Sequence, residues 1–351
     1  MNIAVDISPI NSSKENNHKV RGVGRYISLL SDNLEKYDKK NSYTFFSRGN
    51  KLKNNIDVIH YPYFEPFFLT LPHFKKTKTV VTVHDLTPLV LSDDFPKGVK
   101  GFLKWQIQKL ALKNTDAIIT DSQASKKDII KIVGVLPHKV SVVYLSAGEE
   151  FKIINNSELI IQNLRKKYNL PKRFSIYIGD VTSNKNLPRI VTAIQQVKIP
   201  LVMVGRALVS SFDKKNSWNK DLTDISLQTE NNPLFIKTGF VPTSDLTALY
   251  NLAEFLIMPS LYEGFGLPVL EAMACGCPVI TTREGSLTEV AGDAAFYVDA
   301  YSAESIAEGI EKVFNDKKLQ GELSNKGIIQ SKKFTLKKMI QDTSAIYESL
   351  E

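Results

Sequence analysis

The chain has 351 residues, a formal net charge of +8 and an apolar fraction of 43%. This length is enough for two domains that each bury a core, and no stretch approaches the roughly 18 consecutive apolar residues of a membrane-spanning helix. The first residues lead directly into a strand-like segment, so we expect no signal peptide. Strand-like and helix-like segments alternate along the chain, which predicts an α/β fold with parallel sheets.

Six strands are predicted in the first half of the chain: Asn2–Ile7, Ser42–Phe46, Val58–His60, Val80–Val83, Ala117–Thr120 and Val140–Val143. The helices predicted between them include Gly24–Lys36, Gly98–Leu112 and Ser125–Val133, the last of which is capped by Ser122. The second half repeats the pattern with the strands Ser175–Ile178, Leu201–Val204, Leu234–Lys237, Phe255–Met258, Pro278–Thr281 and Ala295–Val298.

A polar stretch over residues 149–169 separates the two halves and is interpreted as a linker. We therefore expect an N-terminal domain over residues 1–165 and a C-terminal domain over residues 166–334. Residues 335–351 contain a further predicted helix.

The positive charge is concentrated in the first half. Residues 1–150 hold 22 Lys and Arg against 15 Asp and Glu, whereas the remaining 201 residues hold 23 against 22. Lysines in the segment 97–113 accompany Phe102, Leu103, Trp105 and other apolar residues. Such a segment fits either a helix that lies on anionic lipid or a core-packed helix with a solvated lysine face. No nucleic-acid-binding motif is present, so nucleic acid is not an expected partner.

The most informative segment is MPSLYEGFGLPVLEAMACGCPVITT, residues 258–282. A glycine-rich turn feeds a helix with Pro268 in its first turn, and a helix N-terminus attracts anions. Glu263 and Glu271 bracket this turn. Carboxylates would repel a phosphate, but they can hydrogen-bond hydroxyl groups on either side of a diphosphate. The pattern therefore predicts a nucleotide-sugar site in which Glu263 orients the sugar and Glu271 the ribose.

Other candidate residues follow predicted strands. Gly22, Gly24 and Arg25 lie between the first strand and its helix, where a loop could approach a diphosphate closely; a plain loop is the alternative. His84 ends an apolar strand beside Asp85, and His60 ends another, where it either touches an acceptor or only caps the strand.

An ammonium at Lys185, in the turn after a strand, would stabilise the charge of a departing diphosphate. Arg206 follows another strand and is interpreted as a base-stacking or phosphate-binding residue, or as an ordinary surface arginine.

Together the segments resemble those of the retaining GT-B glycosyltransferases, specifically glycosyltransferase family 4 of the bacterial surface-polysaccharide type. The segment from Glu263 to Glu271 is similar to the family's E-x(7)-E motif, and the others are Arg21–Tyr26, Thr82–Leu89, Tyr177–Leu187, Thr238–Val241 and Ser286–Gly292. The resemblance implies two facing Rossmann-like domains, with a C-terminal helix that crosses back onto the first.

The resemblance also implies site roles. His84, Glu263 and Lys185 are the expected catalytic residues. His84 would line the pocket for the donor sugar and acceptor, with Asp85 beside it. Donor contacts are further expected from Gly179, Gly239, Val241 and the backbone of Phe265, Gly266 and Leu267. Family members often have an arginine after the glycine at position 179, but this chain has Asp180. One expected phosphate contact is therefore missing, and Lys185, Arg25 or backbone amides would have to compensate.

We expect a hexose or N-acetylhexosamine to be transferred, with retention and without a metal ion, by front-face attack. The donor is a co-substrate, with a UDP-sugar favoured and GDP-mannose next, and no cofactor is expected. The expected acceptor is a lipid-linked glycan of O-antigen or capsule synthesis, with the enzyme cytoplasmic and peripheral on the plasma membrane. A nucleotide-sugar epimerase, a nicotinamide dehydrogenase and a non-catalytic nucleotide-binding protein are the rival classes; the glycine fingerprint of the dehydrogenase is incomplete here.

Overall fold

The computed structural model describes residues 1–11, 21–50, 52, 55–72, 75–95, 97–155, 157–213 and 220–351. The chain forms two compact units. Unit 1 comprises residues 1–146 and 334–351, and unit 2 comprises residues 147–333. Each unit contains a six-stranded sheet in which all the neighbouring strands are parallel.

The sheet of unit 1 has the order β2-β1-β3-β4-β5-β6. Its strands are β1 (Asn2–Asp6), β2 (Ser42–Phe46), β3 (Val58–Tyr61), β4 (Lys78–Thr82), β5 (Ala117–Thr120) and β6 (Val140–Val142). The helices among them are α1 (Ser8–Asn11), α2 (Arg21–Tyr37), α3 (Thr87–Val90), α4 (Gly98–Lys113) and α5 (Gln123–Val133).

The sheet of unit 2 has the order β12-β11-β10-β7-β8-β9. Its strands are β7 (Ser175–Ile178), β8 (Leu201–Val204), β9 (Phe235–Gly239), β10 (Phe255–Met258), β11 (Val279–Thr281) and β12 (Phe296–Tyr297). Its helices are α6 (Glu158–Tyr168), α7 (Leu187–Val197), α8 (Lys220–Thr229), α9 (Thr243–Leu252), α10 (Leu267–Ala274), α11 (Leu287–Ala291), α12 (Ala303–Asn315) and α13 (Lys317–Ser331).

The central strands are short apolar runs because helices cover both faces of each sheet. All four residues of β10, Phe-Leu-Ile-Met, are buried, as are those of β8. A strand that is buried on both faces needs no polar alternation, which is typical of parallel sheets. The α/β class and the parallel sheets predicted from the sequence are confirmed; more than half of the predicted strand ends coincide with the observed ones, and the others differ by one or two residues.

The strand order of unit 2 reverses between β7 and β10, which are neighbours in the sheet but not in the chain. Connections leave the sheet in opposite directions at such a point, so a crevice forms outside the carboxyl ends of the two strands. Lys185 follows β7 and Glu263 follows β10. The topology therefore brings these two residues to the same edge.

The last helix, α14 (Leu336–Glu348), packs on α2 and belongs to unit 1. The Tyr347 hydroxyl lies 2.7 Å from Nδ1 of His60 in the interior of this unit. The predicted return of the C-terminal helix to the first domain is thus confirmed.

Residues 147–165, which the sequence analysis included in the first domain, group instead with unit 2. There the Asn251 side chain accepts a hydrogen bond from the Ile154 amide and donates one to the Lys152 carbonyl. The stretch interpreted as a linker contains α6, with Ser157 as its N-cap and Asn169 in the left-handed conformation at its end.

Candidate active site

A buried ion pair joins the turns that follow β7 and β10. Nζ of Lys185 lies 2.6 Å and 2.8 Å from the two carboxylate oxygens of Glu263. The exposed fractions of the two side chains are 20% and 9%. Ser260 Oγ donates a further hydrogen bond of 2.7 Å to the same carboxylate. Two of the three residues that the sequence analysis assigned to catalysis are therefore in direct contact.

Two asparagines hold the lysine turn against the segment after β10. Asn184 donates from its side chain to the Tyr262 carbonyl at 3.1 Å, and Asn186 donates to the Pro259 carbonyl at 2.8 Å. Asn186 has a φ of 58°, a left-handed conformation that asparagine tolerates better than most residues. The position of Lys185 is consequently fixed by the backbone on both sides of it.

The start of α10 has the geometry of an anion site. Gly266 precedes the helix with a φ of 98°, and a Cβ atom there would come within 2.9 Å of Leu287. Glycine is thus required both for the backbone conformation and for the close packing. Phe265 is buried beside it, and Leu267 begins the helix. The first turn directs backbone N–H groups and the positive end of the helix dipole out of the helix.

Glu271 lies in the second turn of α10 and is only 5% exposed. The Tyr250 hydroxyl donates to one of its carboxylate oxygens at 3.0 Å. Burial and the adjacent Glu271 carboxylate raise the pKa of Tyr250 well above its ordinary value. Tyr250 therefore keeps its proton and holds Glu271 in one orientation.

The turns after β7, β8 and β9 approach one another through glycines. A Cβ atom on Gly205 would come within 2.3 Å of the Gly179 carbonyl, and the Gly205 amide donates to the Gly239 carbonyl at 3.2 Å. The Tyr177 hydroxyl donates to the carbonyl of Asp180, the residue that replaces the arginine frequent in the resembled family. These contacts bring Gly179 and Gly239 to one edge of the sheet.

Arg206 and Phe240 form an exposed pair at this edge, with the guanidinium carbon 5.4 Å from the centre of the phenyl ring. The exposed face of such a pair can accept a planar base by stacking. The neighbouring Val241 side chain is buried, so only its backbone is suited to contact a ligand.

In unit 1, His84 forms a 2.7 Å hydrogen bond through Nδ1 to Asp121. Burial, the largest single influence, favours the neutral ring, but Asp121, together with Asp85 and the Pro62 backbone, outweighs it and raises the pKa of His84 above its ordinary value. Nε2 of His84 and Oδ1 of Asp121 are buried and have no hydrogen-bond partner among the described residues. The third predicted catalytic residue thus has bonding capacity left for a ligand.

Four of the predicted donor-binding residues lie in unit 1. Gly22, Gly24 and Arg25 do not form a loop but lie in the first two turns of α2. The prediction of a glycine loop at these positions is therefore wrong, because burial of the apolar side of α2 outweighs the low helix propensity of glycine. The segment before Arg21, over residues 12–20, lies outside the described part of the chain. Asp85 accepts a hydrogen bond of 2.8 Å from the amide of Thr87, the first residue of the short helix α3.

His60 is fully buried, and its two ring nitrogens lie 2.7 Å from the Tyr347 hydroxyl and 2.8 Å from Thr82 Oγ1. Burial lowers the pKa of His60 to about 3, so the ring is neutral. Of the two roles left open for His60, the structure supports the structural one.

Sequence reasoning missed Asp121, Ser260 and Tyr250 as parts of the site. Asp121 follows the apolar strand β5, as His84 follows β4, and this shared position is the signal that could have identified it. Within the described ranges, no group of three or more His, Cys, Asp or Glu side chains could hold a metal ion. No helix in the part of the chain that the structure describes is both long enough and apolar enough to span a membrane.

The site and the two sheets define the class of this protein. Glycosyltransferase Family 4 matches residues 15–146, and Glycosyl transferases group 1 matches residues 160–330. The chain therefore belongs to the glycosyltransferases that these two models describe, Glycosyltransferase Family 4 (group 1). The match is to transferases rather than to the epimerase considered from the sequence.

Two curated relatives are mannosyltransferases of Escherichia coli. The serotype-specific mannosyltransferase WbdA is 32% identical over 269 residues, which are 74% of this chain and 32% of WbdA. This chain therefore spans about a third of the length of that relative. The O-antigen chain mannosyltransferase B is 28% identical over 296 residues, which are 84% of this chain and 76% of that protein.

Solved structures share the fold. The crystal structure of Anabaena Alr3699/HepE in complex with UDP and glucose has a TM-score of 0.73 at 15% identity and covers 99% of this chain and 100% of that one. The chain thus has the GT-B fold predicted from its sequence.

Proposed function

We propose that this protein transfers a hexose from a nucleoside-diphosphate sugar to a glycan acceptor. The observation that carries the proposal is the Lys185–Glu263 pair at the strand-order reversal of unit 2, followed three residues later by Gly266 at the start of α10. The ammonium and the helix N-terminus supply positive charge for a diphosphate. The carboxylate beside them supplies acceptors for sugar hydroxyl groups.

In the proposed reaction, the bond between the anomeric carbon and the phosphate oxygen breaks through an oxocarbenium-like state. Lys185 and the backbone N–H groups of residues 265–267 stabilise the negative charge on the departing diphosphate. The acceptor hydroxyl attacks the same face, forms the new glycosidic bond and gives its proton to the departing phosphate oxygen. The anomeric configuration is retained, and the positive charge required comes from the protein rather than from a metal ion.

The remaining site residues are assigned by their chemistry. Glu271, held by Tyr250, accepts from the ribose hydroxyl groups, while the backbone of Gly239 and Val241 reads the base edge. Arg206 with Phe240 stacks on the base. Gly179 lets the diphosphate approach the end of β7. His84, oriented by Asp121, hydrogen-bonds the transferred sugar or the acceptor.

For the donor, we propose GDP-mannose ahead of a UDP-sugar. The ranking reverses the expectation from the sequence, because two relatives at 28–32% identity are named mannosyltransferases. The UDP complex belongs to a protein at 15% identity, which supports the fold and not the base. Since one of these relatives is named an O-antigen chain mannosyltransferase, we propose a polysaccharide chain of the O-antigen type as the acceptor. We propose that it is linked to a lipid and that the enzyme acts as a peripheral protein on the cytoplasmic face of the plasma membrane.

Thermal unfolding with GDP, UDP, ADP and dTDP, each with EDTA or with magnesium, tests the nucleotide site. We expect GDP to raise Tm most and to do so equally in EDTA, since a ligand that binds only the folded state stabilises it. Release of GDP from GDP-mannose that depends on an added mannan oligosaccharide tests transfer. Stabilisation by no nucleotide, or turnover of the donor sugar into an epimer without acceptor, would overturn the proposal.

A further inference from the structure

Helix α4 has apolar residues on two opposite sides. One side contains Gly101, Trp105, Gln108 and Leu112, which are buried in unit 1. At 100° per residue, the opposite side contains Val99, Leu103 and Leu110. Their exposed fractions are 78%, 57% and 63%. An ordinary surface helix is apolar only towards its core, so the outer side of α4 is unusual.

Further exposed apolar side chains extend this outer side. Phe102 and Ile107 flank it at 46% and 40% exposure. Phe68 and Leu69, in the segment after β3, are exposed by 44% and 49%. Phe68 lies beside α4, because its ring is 5.4 Å from Nζ of Lys104. Contiguous apolar surface of this kind marks a site of contact with a partner or a membrane.

The charges of α4 are of one sign. Lys100 and Lys104 border the apolar side on one flank and Lys109 and Lys113 on the other, as the helical spacing requires. The helix contains no Asp or Glu. None of these four lysines forms a salt bridge with a described residue, so no described carboxylate neutralises their charges.

We propose that the outer side of α4, with Phe68 and Leu69, is the surface by which this protein lies on an anionic membrane. The apolar side chains enter the boundary between headgroups and acyl chains, and the flanking lysines contact lipid phosphates. This charge pattern fits a phospholipid surface better than a second copy of the chain, which would bring eight lysines together across the interface.

The position of α4 suits the proposed acceptor. The helix connects β4 to β5, so its N-terminal end lies towards the carboxyl edge of the sheet, where His84 follows β4. A membrane on this side of unit 1 would present a lipid-linked glycan near that edge. The inference deepens the proposed function by naming the surface, but binding to vesicles can be measured without any transfer.

Co-sedimentation with vesicles of phosphatidylcholine alone, or with about a third phosphatidylglycerol, tests the proposal. We expect binding only to the anionic vesicles and weaker binding as salt increases. A lysine near an anionic surface contributes about fivefold in affinity. The variant K100Q/K104Q/K109Q/K113Q should therefore bind at least about tenfold more weakly, and V99S/L103S/L110S should also lose binding.

The matched control K166Q/K318Q/K332Q/K337Q removes the same charge from exposed lysines outside α4 and should bind within about twofold of the wild type. The proposal is overturned if the wild type does not bind anionic vesicles, or if the α4 variants bind them as the wild type does. A dimer in sedimentation velocity that V99S/L103S/L110S dissociates would assign the surface to a second copy instead. The Tm of the same samples is also measured with and without nucleotide. A nucleotide shift without vesicle binding would contradict only this inference, whereas the absence of a nucleotide shift would contradict the proposed nucleotide site.

Discussion

The two buried charged pairs, one in each unit, differ in how many of their polar atoms are already bonded. Lys185 contacts both oxygens of Glu263, and Ser260 adds a third bond. His84 and Asp121 share one bond, and each keeps a buried atom without a partner among the described residues. Such an atom costs about 1–3 kcal/mol. The described residues of unit 1 therefore satisfy their charged pair less completely than those of unit 2 do.

The difference indicates two modes of binding. In unit 2 the Lys185–Glu263 pair is fully hydrogen-bonded, so a ligand must replace some of these hydrogen bonds when it binds. The same bonds hold both side chains in place before the ligand arrives. The pair in unit 1 is less completely bonded, so a hydroxyl group that reaches Nε2 of His84 or Oδ1 of Asp121 adds a bond without breaking the bond between the two residues. We infer that substitutions in the Lys185–Glu263 pair lower both stability and activity. Substitutions in the His84–Asp121 pair should lower activity more than stability.

The largest effect is expected for Lys185→Ala. Loss of one preorganised charge at a developing anion typically lowers kcat about 10²–10³-fold. The buried Glu263 carboxylate also loses its charged partner, which costs about 1–3 kcal/mol of the free energy of unfolding. Donor-saturated kinetics and urea unfolding measure the two effects. Lys167→Ala removes a lysine from an exposed pair in the same unit and should change neither by much.

A double variant separates the two effects. Lys185→Met with Glu263→Gln removes both charges and should recover most of the lost stability, since an uncompensated buried charge no longer remains. Activity should stay low. Recovery of activity together with stability would show that the pair only supports the fold.

His84→Gln is expected to lower kcat by about 10–100-fold, because a misplaced or missing sugar contact costs up to about a hundredfold. The free energy of unfolding should change by less than it does in Lys185→Ala, since one of the atoms removed is unbonded in the folded state. Steady-state kinetics and urea unfolding give both values. The exposed His138, changed in the same way, is the control. A loss of unfolding free energy larger than that of Lys185→Ala would contradict the inference that the His84–Asp121 pair contributes less to stability than the Lys185–Glu263 pair.

Asp121→Asn tests the pH dependence of the pair. The pKa of His84 is raised in the folded protein, so its protonated form stabilises the fold fully below the unfolded value of about 6.5. This stabilisation is lost as pH rises through the folded pKa. The variant should therefore be less stable than the wild type by about 1–2 kcal/mol at pH 6 and by less at pH 9. Urea unfolding at both pH values measures it; a difference that grows with pH would contradict the assignment.

The smallest effect is expected for Arg206→Ala. An exposed cation–π contact is worth about 0.5–1 kcal/mol, so affinity for the nucleotide should fall about two- to fivefold. Isothermal titration with GDP measures the change. Arg165→Ala, which removes an arginine from α6 in the same unit, should leave the affinity unaltered. An equal loss in the two variants would indicate a general charge effect rather than base stacking.

Local patterns in the sequence predicted the strands and identified Lys185 and Glu263 as site residues, but the contact between these two residues was not predicted. Buried parallel strands appear as short apolar runs, and both residues follow such runs at neighbouring carboxyl ends. Asp121 could not be recognised in this way, because its pairing with His84 spans 37 residues and depends on the β4–β5 register. The start of α2 was missed for a similar reason. Its glycines oppose a helix, and the burial of Tyr26, Ile27 and Leu30 that outweighs them is a tertiary effect.

The segment that contains α6 was wrongly interpreted as a linker although local signals for a helix were present. Its capping residues, Ser157 and Asn169, were readable in the sequence, but the polar composition favoured a linker. The anchoring of this region through Asn251 is again tertiary and was not predictable from local pattern.

The return of the chain from unit 2 to unit 1 at residue 334 has a consequence for synthesis on the ribosome. The first 146 residues emerge before α14 has been synthesised. The Tyr347 hydroxyl that bonds His60 is then missing, and the side of α2 that α14 later covers is exposed to solvent. At 5–20 residues per second, translation of residues 147–333 takes roughly 10–40 seconds. During that interval unit 1 exposes apolar surface that a chaperone can bind. Unit 2, by contrast, is one continuous segment, so all the strands of its sheet are available before α14 is synthesised.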